Sequence, residues 1–277
     1  MSSVPNVTLN NGVEIPQLGF GVFQIPPSET RRATLEALRV GYRHVDTAEM
    51  YGNEAEVAEA VRDSGIPRSE VFITSKLNNG FHARADALAA FDRSLAAMHL
   101  EYLDLFLIHW PLPAVGDFVE TWKAMEEIYA SGRARAIGVS NFQRHHLDRL
   151  ARETGTVPAV NQIEIHPYFV QDDVRAYDRA HGIATEAWSP IAQGEILDDA
   201  VIGEIGRRLG RSPAQVTLRW HIQRGDIVFP KSVTPARIAE NFAIFDFELT
   251  DADMAAVTAR HRDGRRGPNP DDFNWIP

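Results

Sequence analysis

The feature that most constrains the fold is a repeated alternation. Apolar, strand-like runs recur at "LGFGVF", "YRHVDTA", "EVFITSKL", "YLDLFLIHW", "ARAIGVSN", "AVNQIEIH", "IATEAWSP" and "DIVFPKS". Segments with helical periodicity separate them, such as "ADALAAFDRSLAAMHL" and "FVETWKAMEEIYASG". Near-continuous apolar strands alternating with amphipathic helices need a parallel sheet covered by helices. A doubly wound sheet would satisfy that rule. Eight units within 277 residues match a closed (β/α)8 TIM barrel better. No linker or low-complexity stretch interrupts the pattern, so residues 1–277 are expected to form one domain.

Local signals sharpen the boundaries. Asn11-Gly12 lies between two short extended segments and predicts a type I′ hairpin, expected to close the barrel bottom. Ser28 is the expected N-cap of the first helix, which Gly41 stops. Asn53 with Glu56 three residues later resembles a capping box, with Gly65 as the stop. Pro213 stands at an expected first helical position. The tail "DGRRGPNPDDFNWIP" reads as irregular, yet Phe273 and Trp275 would be wasted on a wholly solvated segment.

Composition removes several function classes. A net charge of −10 argues against a nucleic-acid partner, because phosphate binding runs on excess Lys and Arg. There is no cysteine, hence no disulfide and no thiolate chemistry. The start "MSSVPNVTLNNG" lacks a secretory pattern, and no apolar run reaches the roughly 18 residues of a membrane span. A cytoplasmic location is expected, and the acidic surface without an apolar stripe points to a monomer. Histidine is plentiful, but no H-x-H pair ends a strand, so a metal-dependent hydrolase is disfavoured and no metal is expected.

In a barrel of this kind the active site lies at the C-terminal ends of the strands. Those ends carry unusual residues. Asp46 ends the second strand and Tyr51 follows in its loop; Lys76 ends the third and His109 the fourth. Only three of the 28 basic residues are lysine (Lys76, Lys123 and Lys231), and two of these sit at strand ends. Taken singly, Asp46 could cap a neighbouring segment, and Tyr51 or His109 could be packing residues. Lys76 is harder to explain, since an unpaired buried ammonium is costly. Paired with Asp46, it would lower the acidity barrier of a nearby phenol. Tyr51 could then protonate a developing alkoxide while His109 orients the carbonyl oxygen, an arrangement worth roughly 10²- to 10⁴-fold in rate.

Reduction also needs a hydride source. No G-x-G-x-x-G follows a strand, so a Rossmann site is not indicated. Trp188 offers a flat face for a nicotinamide, with Ser140, Asn141 and Gln162 as partners for its carboxamide. Lys231, Ser232 and Arg237 in "FPKSVTPARIAEN" suit a phosphate monoester such as the 2′-phosphate of NADP, although an ordinary helix entrance reads the same way.

Six motifs in order resemble those of the aldo-keto reductases. They are "LNNGVEIPQLGFGVF", "GYRHVDTAEMYGNE", "FITSKL" with "DLFLIHWP", "AIGVSNF", "VNQIEIHP" and "FPKSVTPARIAEN". The texture is most similar to the bacterial 2,5-diketo-D-gluconate reductase branch. The resemblance implies NADPH-dependent reduction of aldehydes or ketones by direct hydride transfer. It implies Tyr51 as acid, Lys76 and Asp46 as its tuning pair, and His109 as orienter. It implies cofactor contacts from Ser140, Asn141, Gln162, Trp188, Ser189, Lys231, Ser232, Val233, Arg237, Glu240 and Asn241. Phe23, Met50, Asn78, Trp110 and Trp275 would line the substrate pocket. Two departures stand out. "KLNNGF" places Asn78 where relatives carry an aromatic wall, which favours a polar substrate. "SPIAQGEILDD" is short for a cofactor-clasping belt, which suggests easier cofactor exchange. A cofactor-binding regulatory subunit with weak or vestigial reductase activity is the alternative.

Overall fold

The computed structural model describes residues 4–277. Eight strands form one parallel sheet: β3 (Phe20–Gly21), β4 (His44–Asp46), β5 (Phe72–Leu77), β6 (Leu103–Ile108), β7 (Ala134–Ser140), β8 (Val160–Glu164), β9 (Ala184–Trp188) and β10 (Ile227–Val228). The ring closes through a parallel bridge between Leu18 and Val228, reinforced by Gly19 N–H donating to Val228 O. Preceding them, β1 (Asn6–Thr8) and β2 (Glu14–Pro16) pair antiparallel, with Val7 opposite Ile15.

The hairpin plugs the lower barrel. Its Leu9 and Ile15 join Phe72, Leu105, Leu107, Ala136, Val160 and Ile227 in a single apolar cluster. Asn10 Nδ2 and Asn11 Nδ2 donate to Pro158 O and Arg135 O at the starts of β8 and β7. The turn differs from expectation. Gly12 has φ +83°, but Asn11 is not in the left-handed region a type I′ turn requires. Gly12 N donates to Leu9 O and Leu9 N to Val13 O, which is a type I turn closed by a left-handed glycine. The side chain of Asn11 is committed to the barrel rim through Arg135 O.

Among the described residues ten helices surround the barrel: α1 (Pro27–Val40), α2 (Glu54–Asp63), α3 (Arg84–Met98), α4 (Phe118–Ala130), α5 (Arg144–Glu153), α6 (Asp172–Ala180), α7 (Ala200–Leu209), α8 (Pro213–Arg224), α9 (Pro235–Phe242) and α10 (Asp251–Thr258). Gly41 and Gly65 end their helices and Pro213 opens α8 behind the Ser212 cap, as expected. Two caps differ. Helix α1 begins at Pro27 after an uncapped Pro26, so Ser28 lies inside the first turn. Proline at the first position has no N–H to satisfy, which makes a side-chain cap dispensable there. Asn53 precedes α2 but does not cap it. Its buried amide donates to Val22 O and Ile25 O and accepts from Thr47 Oγ1, locking the loop after β3 against β4. Helix α7 has no counterpart among the helical patterns of the sequence. Asp199 caps it by accepting from Val201 N and Ile202 N.

Candidate active site

Asp46, the last residue of β4, and Lys76, one before the end of β5, face each other inside the barrel. Lys76 Nζ lies 2.7 Å from Asp46 Oδ1 and donates to Thr47 O at 2.9 Å. The lysine is fully buried. Burial pulls its pKa down, and the Asp46 carboxylate together with the Tyr51 phenol more than reverses this, so the ammonium stays charged. Tyr51 ends a short 3-10 turn, Glu49–Tyr51, in the loop after β4. Lys76 Nζ stands 5.1 Å from its ring centroid. His109, the residue after β6, approaches the same ring edge-on at 5.7 Å. Four chemically distinct side chains from three adjacent strand tops thus converge on one point.

The electrostatics differ from the sequence expectation in one respect. Burial raises the Tyr51 pKa, Lys76 opposes it, Asp46 adds to it, and the net direction is upward. The low-dielectric wall outweighs the ammonium. The phenol therefore keeps its proton at neutral pH, with Lys76 positioned to soften its loss. His109 is pushed well below the ordinary histidine range, first by burial and then by Lys76. Its ring is neutral, and its buried Nδ1 has no protein partner.

The next strand tops form a polar lattice. Asn141 adopts φ +64°, and its Nδ2 donates to His109 O and Ser140 Oγ. Its Oδ1 accepts from Trp188 Nε1 at 2.8 Å, which fixes the indole plane. Ser140 Oγ donates to Gln162 O. Gln162 Nε2 donates twice, to Asp46 Oδ2 at 2.8 Å and to Glu186 Oε2 at 2.7 Å. These donors were expected to be open to a ligand, but the protein has already engaged them. Ser189 follows Trp188 in a left-handed conformation, φ +50°.

The basic stretch lies after β10. Lys231 and Arg237 are exposed, and among the described residues neither has an ion-pair partner. Ser232 is buried, and its Oγ accepts from Thr234 N at the start of α9. Val233 and Glu240 are half-buried and Asn241 is buried beside them. Two free cations next to a preordered hydroxyl and a helix start make a donor set that fits a phosphate monoester.

The residues expected to line a substrate pocket come from the loops after β3, β4, β5 and β6 and from the tail. Phe23 is 52% exposed and touches the Tyr51 ring at 5.0 Å. Met50 and Asn78 are half-buried at the rim, and Asn78 Oδ1 accepts from Gly80 N. Trp110 is buried under Phe273, ring centroids 4.4 Å apart. Trp275 is 53% exposed while its carbonyl accepts from Asn79 Nδ2.

The tail is anchored by residues that carry no signal in the sequence. Glu164 accepts from Arg266 N and Gly267 N, and it also bonds His166 Nε2 at 2.9 Å. Gly267 sits on the Trp188 ring so closely that a Cβ there would lie 2.5 Å from Cη2. Glu195 of the loop after β9 pairs with Arg262 and Arg266, so that loop is tied to the tail. His145, His146 and Asp271 offer three ligand-type atoms within 4.8 Å of one another. His146 Nδ1, however, already accepts from Gln143 N, which leaves its proton on Nε2, the atom facing Asp271. The trio reads as a hydrogen-bonded tie between α5 and the tail. A cavity of ≈ 610 Å³ between α2 and the α3–β6 connection has its arginines engaged: Arg62 with Met98 O and Arg68 with Asp104.

A parallel barrel with a buried Lys–Asp pair beneath a tyrosine and a neutral histidine defines a class. The aldo/keto reductase family model matches residues 17–261. An aldo-keto reductase of Mycolicibacterium smegmatis is 51% identical over 271 residues, covering 98% of each chain. Methylglyoxal reductase DkgA of Escherichia coli is 45% identical over 275 residues, covering 99% of each. A solved structure of a Gox0644 mutant in complex with NADPH superposes with TM-score 0.95 at 44% identity, covering 99% of this chain and 100% of that one. The chain belongs to the aldo/keto reductase family.

Proposed function

We propose that this protein reduces small aldehydes or ketones with NADPH, using Tyr51 as the general acid. The observation that carries the reading is the convergence of Tyr51 and His109 on a charged, buried Lys76. When bound, NADPH supplies the hydride for the carbonyl carbon. Trp188, held by Asn141, would back the nicotinamide, and Gln162 would meet its carboxamide through the amide oxygen, since the nitrogen is spent. Lys231, Ser232 and Arg237 would hold the 2′-phosphate, with Val233, Glu240 and Asn241 along the adenosine.

The chain's own chemistry then follows. His109 donates a hydrogen bond that orients the carbonyl oxygen. Tyr51 Oη transfers its proton to that oxygen as negative charge builds there. The resulting phenolate is stabilised by Lys76, which Asp46 and Thr47 O hold in place. Phe23, Trp110 and the tail exclude water from the reacting atoms. A related reductase named for methylglyoxal makes small reactive dicarbonyls the first substrates to try here. The same reading has the protein working as a monomer of one domain in the cytoplasm.

Tyr51→Phe tests it. NADPH oxidation with methylglyoxal should fall at least about 10²-fold, the scale of a lost general acid. Quenching of tryptophan fluorescence by NADPH should persist, because the phenol is not needed to bind the cofactor. Full turnover by the variant would defeat the reading.

A further inference from the structure

Glu186 has no part in the mechanism above, yet it lies at its base. It sits in the middle of β9 with its side chain inside the barrel, fully buried. Among the described residues no cation forms an ion pair with it. Its Oε2 accepts from Gln162 Nε2 at 2.7 Å, and its Oε1 is buried without a partner. A half-satisfied carboxyl group in a barrel interior is expensive, and an apolar side chain would fill the space more cheaply. The same Gln162 nitrogen bonds Asp46 Oδ2, and the other oxygen of Asp46 holds Lys76. An unbroken chain of contacts thus runs from Glu186 through an amide, a carboxylate and an ammonium to the face of Tyr51.

The surroundings isolate this chain. The residues of β10 beside Glu186 are Ile227 and Val228, both apolar. On β8 its partner in register is Gln162. Across the barrel lie Asp46 and Lys76, with His44 held neutral by burial. Asp178 of α6 bonds Thr185 on the opposite face of β9, outside the barrel.

We propose that Glu186 is a positioning residue that biases the reaction toward reduction at alkaline pH. Its carboxyl group holds the Gln162 amide toward Asp46, and its ionisation changes the net charge behind Tyr51 from zero to minus one. The proposal rests on Tyr51 being the acid. When Glu186 is neutral, Lys76 and Asp46 cancel. When it gives its proton to solvent, the cluster becomes anionic and a phenolate at Tyr51 is opposed. Reduction needs the phenol and alcohol oxidation needs the phenolate, so ionised Glu186 extends the first and suppresses the second. The range matches: burial, with Asp46 adding, raises the Glu186 pKa to about 8.

Glu186→Gln is the test, because it removes the charge while keeping an oxygen to accept from Gln162. The pH profiles of kcat/KM in both directions are compared with the wild type. The phenol of Tyr51 is also titrated by ultraviolet difference absorption in the cofactor-free protein, with Tyr51→Phe as the reference. The alkaline limb of reduction and the phenol titration should both move to lower pH in Glu186→Gln. Above that pH the ratio of oxidation to reduction should rise roughly three- to tenfold, up to the effect of one unit of acidity. An infrared carboxylic-acid band titrating near pH 8 should be present in the wild type and absent from the variant. Unshifted profiles, or a loss equal at every pH, would overturn the proposal. Should the variant not fold, a wild-type protein lacking the protonated carboxyl band at neutral pH overturns it as well. Undiminished turnover by Tyr51→Phe would instead strike the catalytic reading, leaving the carboxyl titration as a separate result.

Discussion

Individual residues divide into those whose chemistry shows along the chain and those defined by what surrounds them. Lys76 belongs to the first kind, since a lysine ending an apolar run demands a counter-ion. Arg237 and Asn78 are testable at this scale. Arg237 is exposed and without an ion-pair partner among the described residues, so its charge is available to a ligand. Arg237→Ala should weaken NADPH binding by roughly tenfold or more, the value of a charge-assisted hydrogen bond, and leave NADH unaffected. Fluorescence titration with both nucleotides measures this. Asn78→Trp should shift preference from hydroxylated to aromatic aldehydes, and equal kcat/KM ratios across such a panel would count against a role for Asn78 in selection. Glu186 belongs to the second kind. Within "IATEAWSP" it is one polar residue in a strand, and nothing local shows that it faces inward beside Gln162.

At the scale of elements, eight strands and most helices are legible because their periodicity is a local property of the chain. Helix α7 is less so. "AVIGEIGRRL" contains two glycines, which weaken an isolated helix by about 1 kcal/mol each relative to alanine. Its buried Ile202 and Ile205 and its Asp199 cap hold it in the folded protein. The tail shows the same limit more sharply. Its composition reads as irregular, and it is, but Glu164 and Trp188 fix where it lies. Gly267→Ala should force the Trp188 ring or the tail to shift, at a cost of about 1–3 kcal/mol as overpacking. A several-fold rise in the KM for NADPH with little change in kcat is expected. An unchanged KM would mean that the ring position is not set by the tail.

For the whole molecule, buried titratable groups shape stability against pH. Burial lowers His44 to about 3, and His82 and His146 to about 4, from an ordinary 6.5. Their contribution is complete above pH 6.5 and is lost as pH falls toward 4 and below, because the unfolded chain takes up protons that the folded one refuses. Burial raises Asp178 from 3.8 to about 7 and Glu186 from 4.5 to about 8. Their contribution is complete only below the unfolded values and is lost as pH rises through 7 and 8. Urea unfolding should therefore show greatest stability in mildly acidic solution and a decline of about 2 kcal/mol on moving to mildly alkaline pH. Asp178→Asn or Glu186→Gln should flatten that alkaline decline, and a curve of unchanged slope in both variants would refute the assignment.

The order of the strands and of the helices other than α7, the placing of Asp46, Lys76 and His109 at strand ends, and the basic cluster at the start of α9 are all determined by the sequence alone. Each rests on periodicity or on neighbours a few residues apart. The acidity of Tyr51, the orientation of Gln162, the turn type at Gly12 and the seating of the tail on Trp188 were decided only by tertiary structure. Those depend on desolvation and on partners far apart in the chain, such as Gln162 and Asp46 at a separation of 116 residues. Low dielectric is a property of the closed barrel, and no segment possesses it before the barrel closes.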